Sequence, residues 1–164
     1  MIAVKETVYN VDRANKKIYV SREFDAPVEL VWKAWTTKEL LDEWWAPKPW
    51  KTNTISMDLR TGGRWLYYME GPDGSRHYCL VNYEALLPGK SFTGDDAFCD
   101  ENGNINKEFP SMHWQVNFNA AGNKTKVDVE ITFKAEEDLD KIVEMGFKEG
   151  FAMAHSNLDE LLAR

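Results

Sequence analysis

The chain has little cysteine, little histidine and a shortage of positive charge: two cysteines, three histidines, and 20 basic against 27 acidic residues in 164. Each scarcity closes off a class of function. Cys79 and Cys99 lack CxxC spacing and clustered histidines, so they form neither a zinc ligand set nor a disulfide framework. A net charge of −7 and basic residues dispersed with no run longer than Lys16-Lys17 disfavour nucleic acid and anionic membrane as partners. No stretch approaches the roughly 20 apolar residues that cross a bilayer. The N-terminus shows no basic region followed by an apolar segment, so no signal peptide is expected and a cytoplasmic location is the default. A phosphate-cradling glycine loop is missing, because Gly62-Gly63 reads as a turn between strands. Residues 100–106 resemble a calcium loop only superficially: the glycine is misplaced, and Ser111 stands where a bidentate Glu belongs. No metal and no cofactor are expected.

What the chain has in excess is aromatic side chains. They make up 13% of it, and five of the seven tryptophans fall between Trp32 and Trp50. Tryptophan fills the most space, yet its ring N–H needs a polar partner. Such a concentration suggests an aromatic mini-core or the lining of a ligand cavity.

The length fits a single domain over residues 1–164, large enough to bury roughly 70% of its unfolded surface. Residues 1–12 offer a weak edge strand through Val4, Val8 and Val11. Ile18, Val20 and Phe24 alternate as in a strand. Asp25-Ala26-Pro27 starts a short helix with Val28, Val31, Ala34 and Trp35 on its buried stripe. Thr36-Thr37-Lys38-Glu39 reads as a capping box opening a second helix, which carries Leu40, Leu41, Trp44 and Trp45 and stops before Pro47. From residue 52 to 134 the pattern is a β-meander of six strands. Its turns lie at Gly62-Gly63, Pro72-Asp73-Gly74, Pro88-Gly89 and Ala121-Gly122-Asn123. A polar, solvated loop is expected at 100–110. Met112, Trp114, Val116 and Phe118, then Val127, Val129, Ile131 and Phe133, give two strands with one apolar face each, and such a face needs a cover. Residues 136–163 supply it. Leu139, Val143, Phe147, Phe151, Ala154, Leu158 and Leu161 recur at helical spacing, predicting one helix of about 25 residues and roughly 37 Å.

This order, with Arg22-Glu23-Phe24-Asp25-Ala26-Pro27, Val31-Trp32-Lys33-Ala34-Trp35-Thr36, Glu43-Trp44-Trp45-Ala46-Pro47, Asp58-Leu59-Arg60-Thr61-Gly62-Gly63, Met145-Gly146-Phe147 and Gly150-Phe151, resembles a known family. It is similar to bacterial homologues of the C-terminal domain of the activator of heat-shock protein 90 ATPase, within the START-like, Bet v-like superfamily. The resemblance spans about residues 18–162. Ala46 stands where the Trp-Trp-Gly-Pro block usually has Gly. The resemblance implies an α+β helix-grip fold: a curved antiparallel sheet of about seven strands wrapped around a long C-terminal helix, with an apolar cavity between and two short helices after the first strand. It does not imply one function, since the superfamily includes lipid carriers, cyclases, hydrolases and the cochaperone.

Trp65, Tyr67 and Met69 share one strand face, expected to point inward; Arg64, Leu66 and Tyr68 share the outward one. With Tyr83, Trp114 and Phe118, with Trp35 and Trp44 from the short helices, and with Phe147, Gly150 and Phe151 from the last helix, the inward set makes a candidate ligand-binding lining. Gly146 and Gly150 each cost about 1 kcal/mol in a helix interior. Close packing, space for a ligand, or a bend or break would each account for them. His113 is expected to face solvent, His155 to lie at the edge of the helix's buried arc, and His77 near a pocket mouth. Arg22 is expected in a buried ion pair. No Ser or Cys stands beside an evident base, so no catalytic residue is assigned. Noncatalytic binding of a small apolar or aromatic molecule is the leading reading. A chaperone-activator-like protein contact is the second, and a cyclase- or hydrolase-type enzyme, marked by polar groups converging in the cavity, the third. Finally, a turn centred on Pro88-Gly89 would place residues summing to about 178 opposite one another, Cys79 and Cys99 among them.

Overall fold

The alternating apolar residues form the inner face of one open, curved antiparallel sheet, and the helices close over it. The structure is a computed structural model that describes residues 6–164. In chain order its elements are β1 (Val8–Asp12), β2 (Lys17–Phe24), α1 (Val28–Thr36), α2 (Lys38–Trp44), β3 (Lys51–Met57), β4 (Arg64–Glu70), β5 (Arg76–Leu87), β6 (Ser91–Cys99), β7 (Met112–Ala121), β8 (Lys124–Thr132), α3 (Glu136–Glu144) and α4 (Phe147–Leu162). The eight strands lie in the order β1-β2-β8-β7-β6-β5-β4-β3. The strand beyond the expected seven is β1, which pairs antiparallel with β2; Val4, part of that reading, lies outside the described residues.

Ile18, Val20 and Phe24 of β2, Val116 and Phe118 of β7, and Val127, Val129 and Ile131 of β8 are all buried together. Against them pack Val31, Ala34 and Trp35 of α1, Leu41 and Trp44 of α2, and Phe151, Ala154 and Leu158 of α4. The capping box is not made. Thr37 is the N-cap of α2 and forms no side-chain cap bond, because Thr36 still belongs to α1 and its hydroxyl donates back to the Trp32 carbonyl at 2.7 Å.

The C-terminal segment departs most from expectation. Instead of one helix there are two, and the break is Gly146, at φ +85°. That left-handed conformation costs a side-chain-bearing residue about 1–2 kcal/mol, so glycine here ends α3 and starts α4 in a new direction. Of the readings open for this glycine, the break is the one realised. Gly150 lies inside α4, where an added Cβ would meet only the Pro47 ring, at 3.8 Å. It is not a site of tight packing.

The hairpin register differs by one residue from expectation. Leu86 does face Phe92, but a bulge between Tyr83 and Ala85 shifts the rest, so that Tyr78 opposes Cys99 and Cys79 opposes Phe98. A one-residue slip sends side chains to opposite faces. Cys79 therefore points to the concave side, while Cys99 packs on the convex side against Leu66, Leu80 and Ala97. Both thiols are free. Leu66 faces outward as expected, but it is buried in that convex cluster. The polar loop folds back over this face: Ile105 bridges to Cys99, and Gly103 lies beside the Arg64 and Leu66 side chains.

Candidate functional site

Around the Gly146 break, α3 and α4 leave the concave face open at the β4–β6 side. A cavity of about 360 Å³ opens there. The sheet provides Tyr67 and Met69 from β4, His77 and Cys79 from β5, Asp96 and Phe98 from β6, and Met112 and Trp114 from β7. The helices provide Ile142, Met145, Gly146, Phe147, Gly150 and Phe151, and the α2–β3 connection adds Trp45, Pro47 and Trp50.

Of the residues expected to line a ligand site, Tyr67, Met69, Trp114, Phe147, Gly150 and Phe151 meet at this cavity. The others lie elsewhere. Trp35, Trp65 and Tyr83 surround a far smaller void of about 20 Å³ deeper in the core. Trp44 is fully buried, its indole donating to the Ala34 carbonyl at 2.9 Å. Phe118 packs among Trp32, Trp35 and Phe92. The physical reason is the period of α1 and α2: it turns Trp35 and Trp44 toward β7 and α4 rather than toward the open end of the sheet. Trp45, one residue on, does reach the cavity. Its indole donates to the Tyr67 hydroxyl at 3.0 Å, and its ring meets those of Trp65, Trp114 and Phe151 at 5.7–6.0 Å.

His77 is exposed at the rim, with its ring 5.2 Å from that of Trp50, as its position after the hairpin suggested. His155 is not at the edge of a buried arc but 1% exposed, enclosed by Phe24 and Phe151. Burial, and then the nearby Arg22 charge, push its imidazole down to about 3, so it is neutral. Arg22 is buried and paired with Asp159 of α4. His113 is half-buried on the convex side, 2.9 Å from the Asp95 carboxylate. The bulge brings Glu84 to the same place, and one ligand atom from each of these three lies within 4.8 Å of the others. That cluster faces away from the cavity.

Besides apolar lining such as Trp45 and Met112, one carboxylate was missed in the sequence, Asp96. It stands between Val81 and Met112 on the concave face, 9% exposed, and lines both the cavity and the smaller void. A signal was present: with Phe92 and Phe98 inward, strand alternation turns Asp96 inward too. No ion pair reaches it from the described residues. The Trp114 indole N–H lies near enough to favour its ionised form, without a hydrogen bond of ordinary geometry. Burial dominates and pushes the Asp96 carboxyl up to about 7. The same surroundings hold the Tyr67 hydroxyl and the Cys79 thiol well above their ordinary values, chiefly by desolvation. A thiol pushed up in this way is the opposite of an activated nucleophile.

Asp96 has a consequence for stability. An aspartate in the unfolded chain titrates near pH ~4. The folded protein therefore binds more protons than the unfolded one between that pH and about 7. Stability must fall as pH rises through this window and level off above it. The loss is on the order of ~4 kcal/mol. Asp96→Asn removes the titrating group. Urea denaturation at about pH 5 and about pH 8 should show the variant gaining on the wild type by a few kcal/mol at the higher pH. A pH-independent gap between the two would contradict the assignment.

Comparison with known proteins follows the same architecture. The structure matches a protein of Arthrobacter aurescens solved by NMR, at 30% identity and a TM-score of 0.90, covering 95% of this chain and 91% of that one. It matches a crystallographic structure from Mycobacterium smegmatis at 28% identity and a TM-score of 0.88, covering 96% and 97%. A Silicibacter pomeroyi protein, at 17% identity and a TM-score of 0.71 over 90% and 97%, shares the fold. No curated protein matches the chain. Among the described residues no helix is long and apolar enough to cross a membrane. Residues 25–163 match the model of one family, and the chain belongs to it: Activator of Hsp90 ATPase homolog 1-like protein.

Proposed function

We propose that the protein binds a small apolar or aromatic molecule, without transforming it, in the cavity between β4–β7 and the α3–α4 pair. The observation that carries this reading is Gly150. A residue that weakens α4 stands on the cavity wall, where an added Cβ would meet only the Pro47 ring, at 3.8 Å. The cavity's volume of about 360 Å³ falls in the range of roughly 300–1,000 Å³ typical of small-molecule sites. Its lining is aromatic and sulfur-bearing, with Trp45, Trp114, Phe147, Phe151, Met69 and Met112 as its apolar surfaces. The raised Cys79 thiol speaks against nucleophilic chemistry, and His155, buried and neutral behind Phe151, does not itself line the cavity.

The test uses prodan, a neutral dye whose emission shifts to the blue in apolar surroundings. The expected result is a saturable blue shift at one dye per chain, reversed by phenylbutanol. Unshifted emission in the presence of folded protein would overturn the reading. A chaperone-activator-like role would instead rest on the outer faces of the domain, and filling the cavity would leave it intact.

A further inference from the structure

An apolar cavity need not contain a carboxyl group, and this one does. Asp96 is more than nine-tenths buried, projects from the concave face of β6, and has no cation opposite it among the described residues. Burying a carboxyl without a partner is costly, and the cost is recovered when a ligand supplies a donor. The other ionisable groups at the cavity are Tyr67, Cys79 and the rim residue His77; none is a carboxylic acid and none is a fixed positive charge. We infer that the cavity selects ligands carrying a protonated amine on an apolar or aromatic body, with Asp96 receiving the ammonium group and the surrounding rings receiving the body. This deepens the binding function proposed above and rests on it.

Three features converge on an ammonium rather than a neutral or anionic head. First, the rings of Trp114, Tyr67 and Trp45 line the cavity together with Asp96, and aromatic rings attract cations, most strongly where water is excluded. Second, the hydrogen-bonding capacity of the Asp96 carboxyl is unspent: among the described residues the polar groups near it are the poorly aligned Trp114 N–H, the Tyr67 hydroxyl and the Cys79 thiol, and none makes an ordinary hydrogen bond to it. That N–H also lacks any other partner, so it would be satisfied once an ionised Asp96 settles against a cation. Third, the net charge of −7 favours the approach of cations over anions. Discrimination against acids follows directly. A fatty or aromatic carboxylate would bring a second negative charge into a desolvated site with nothing to neutralise it.

The experiment compares phenylbutylamine, phenylbutanol and phenylbutanoate, which share one body and differ in the head group. Each displaces prodan from the wild type and from Asp96→Asn, with circular dichroism confirming that both are folded. The amine is expected to bind the wild type about tenfold or more tighter than the alcohol, as for a charge-assisted hydrogen bond, with the acid weakest. In Asp96→Asn the amine should lose that advantage, while the alcohol keeps its affinity to within about threefold. The inference is overturned if the amine binds the wild type no better than the alcohol, or if its preference survives in the variant. In both cases alcohol binding leaves the cavity's general function standing. If none of the three displaces the dye and the dye itself does not bind, the binding function falls, and the inference with it.

Discussion

Trp44→Ala should cost about 3–5 kcal/mol of folding stability, the range for truncating a fully enclosed large aromatic. Trp44 has no exposed surface, and its rings meet Trp35 and Trp45 edge-on at 5.1 and 5.3 Å. Its indole N–H holds the Ala34 carbonyl, tying α2 to α1. The backbone carbonyl of Trp44 also accepts from the buried Asn157 side chain of α4, which a truncation would loosen indirectly. Three helices thus meet at one residue. The change can be read by urea denaturation. If the variant retains the wild-type midpoint, Trp44 is not the keystone of this contact and belongs with the cavity residues after all.

Gly150→Leu should act in the reverse sense, raising stability while removing binding. Leucine is the better helix former by about 1 kcal/mol. Because the added Cβ meets only Pro47, at 3.8 Å, no overpacking offsets the gain. For a chain of this size, a gain of about 1 kcal/mol corresponds to a melting temperature roughly 2–4 °C higher. The rest of the leucine side chain would occupy the cavity beside Phe147 and Phe151. Prodan and phenylbutanol should then bind about 10–100-fold more weakly, a loss of about 1.4–2.8 kcal/mol. A fall in stability would mean that Gly150 is a packing glycine. Unchanged binding would mean that ligand sits elsewhere.

The strands were legible because one buried face imposes a two-residue period, and β7 and β8 show it without interruption. The family blocks placed the remaining elements in order. Three features were not legible, each for its own reason. A glycine within a helical pattern is compatible with packing, space or a break, and only the φ of Gly146 separates these. The bulge at Glu84 leaves no mark on composition, yet it turns Cys79 to the concave face, opposite to that of Cys99. The division of the tryptophans between core and cavity depends on the direction of α2, so that Trp44 and its neighbour Trp45 have different surroundings. Asp96 was readable from the alternation of Phe92 and Phe98 but sits next to Asp95, and an acidic pair suggests a solvated face. The structure buries one and exposes the other.

The most direct test of cavity binding is a two-dimensional amide and indole NMR spectrum recorded during titration with phenylbutanol. The seven tryptophan indole N–H groups act as reporters distributed between the cavity and the core. The expected result is that Trp45, Trp50 and Trp114 indoles shift, together with the amides of Tyr67, Asp96, Gly146 and Gly150, while the Trp44 indole stays in place. A folded protein whose spectrum does not change, or whose shifts gather on the convex face around Leu66, Leu80 and His113, would contradict ligand binding in this cavity.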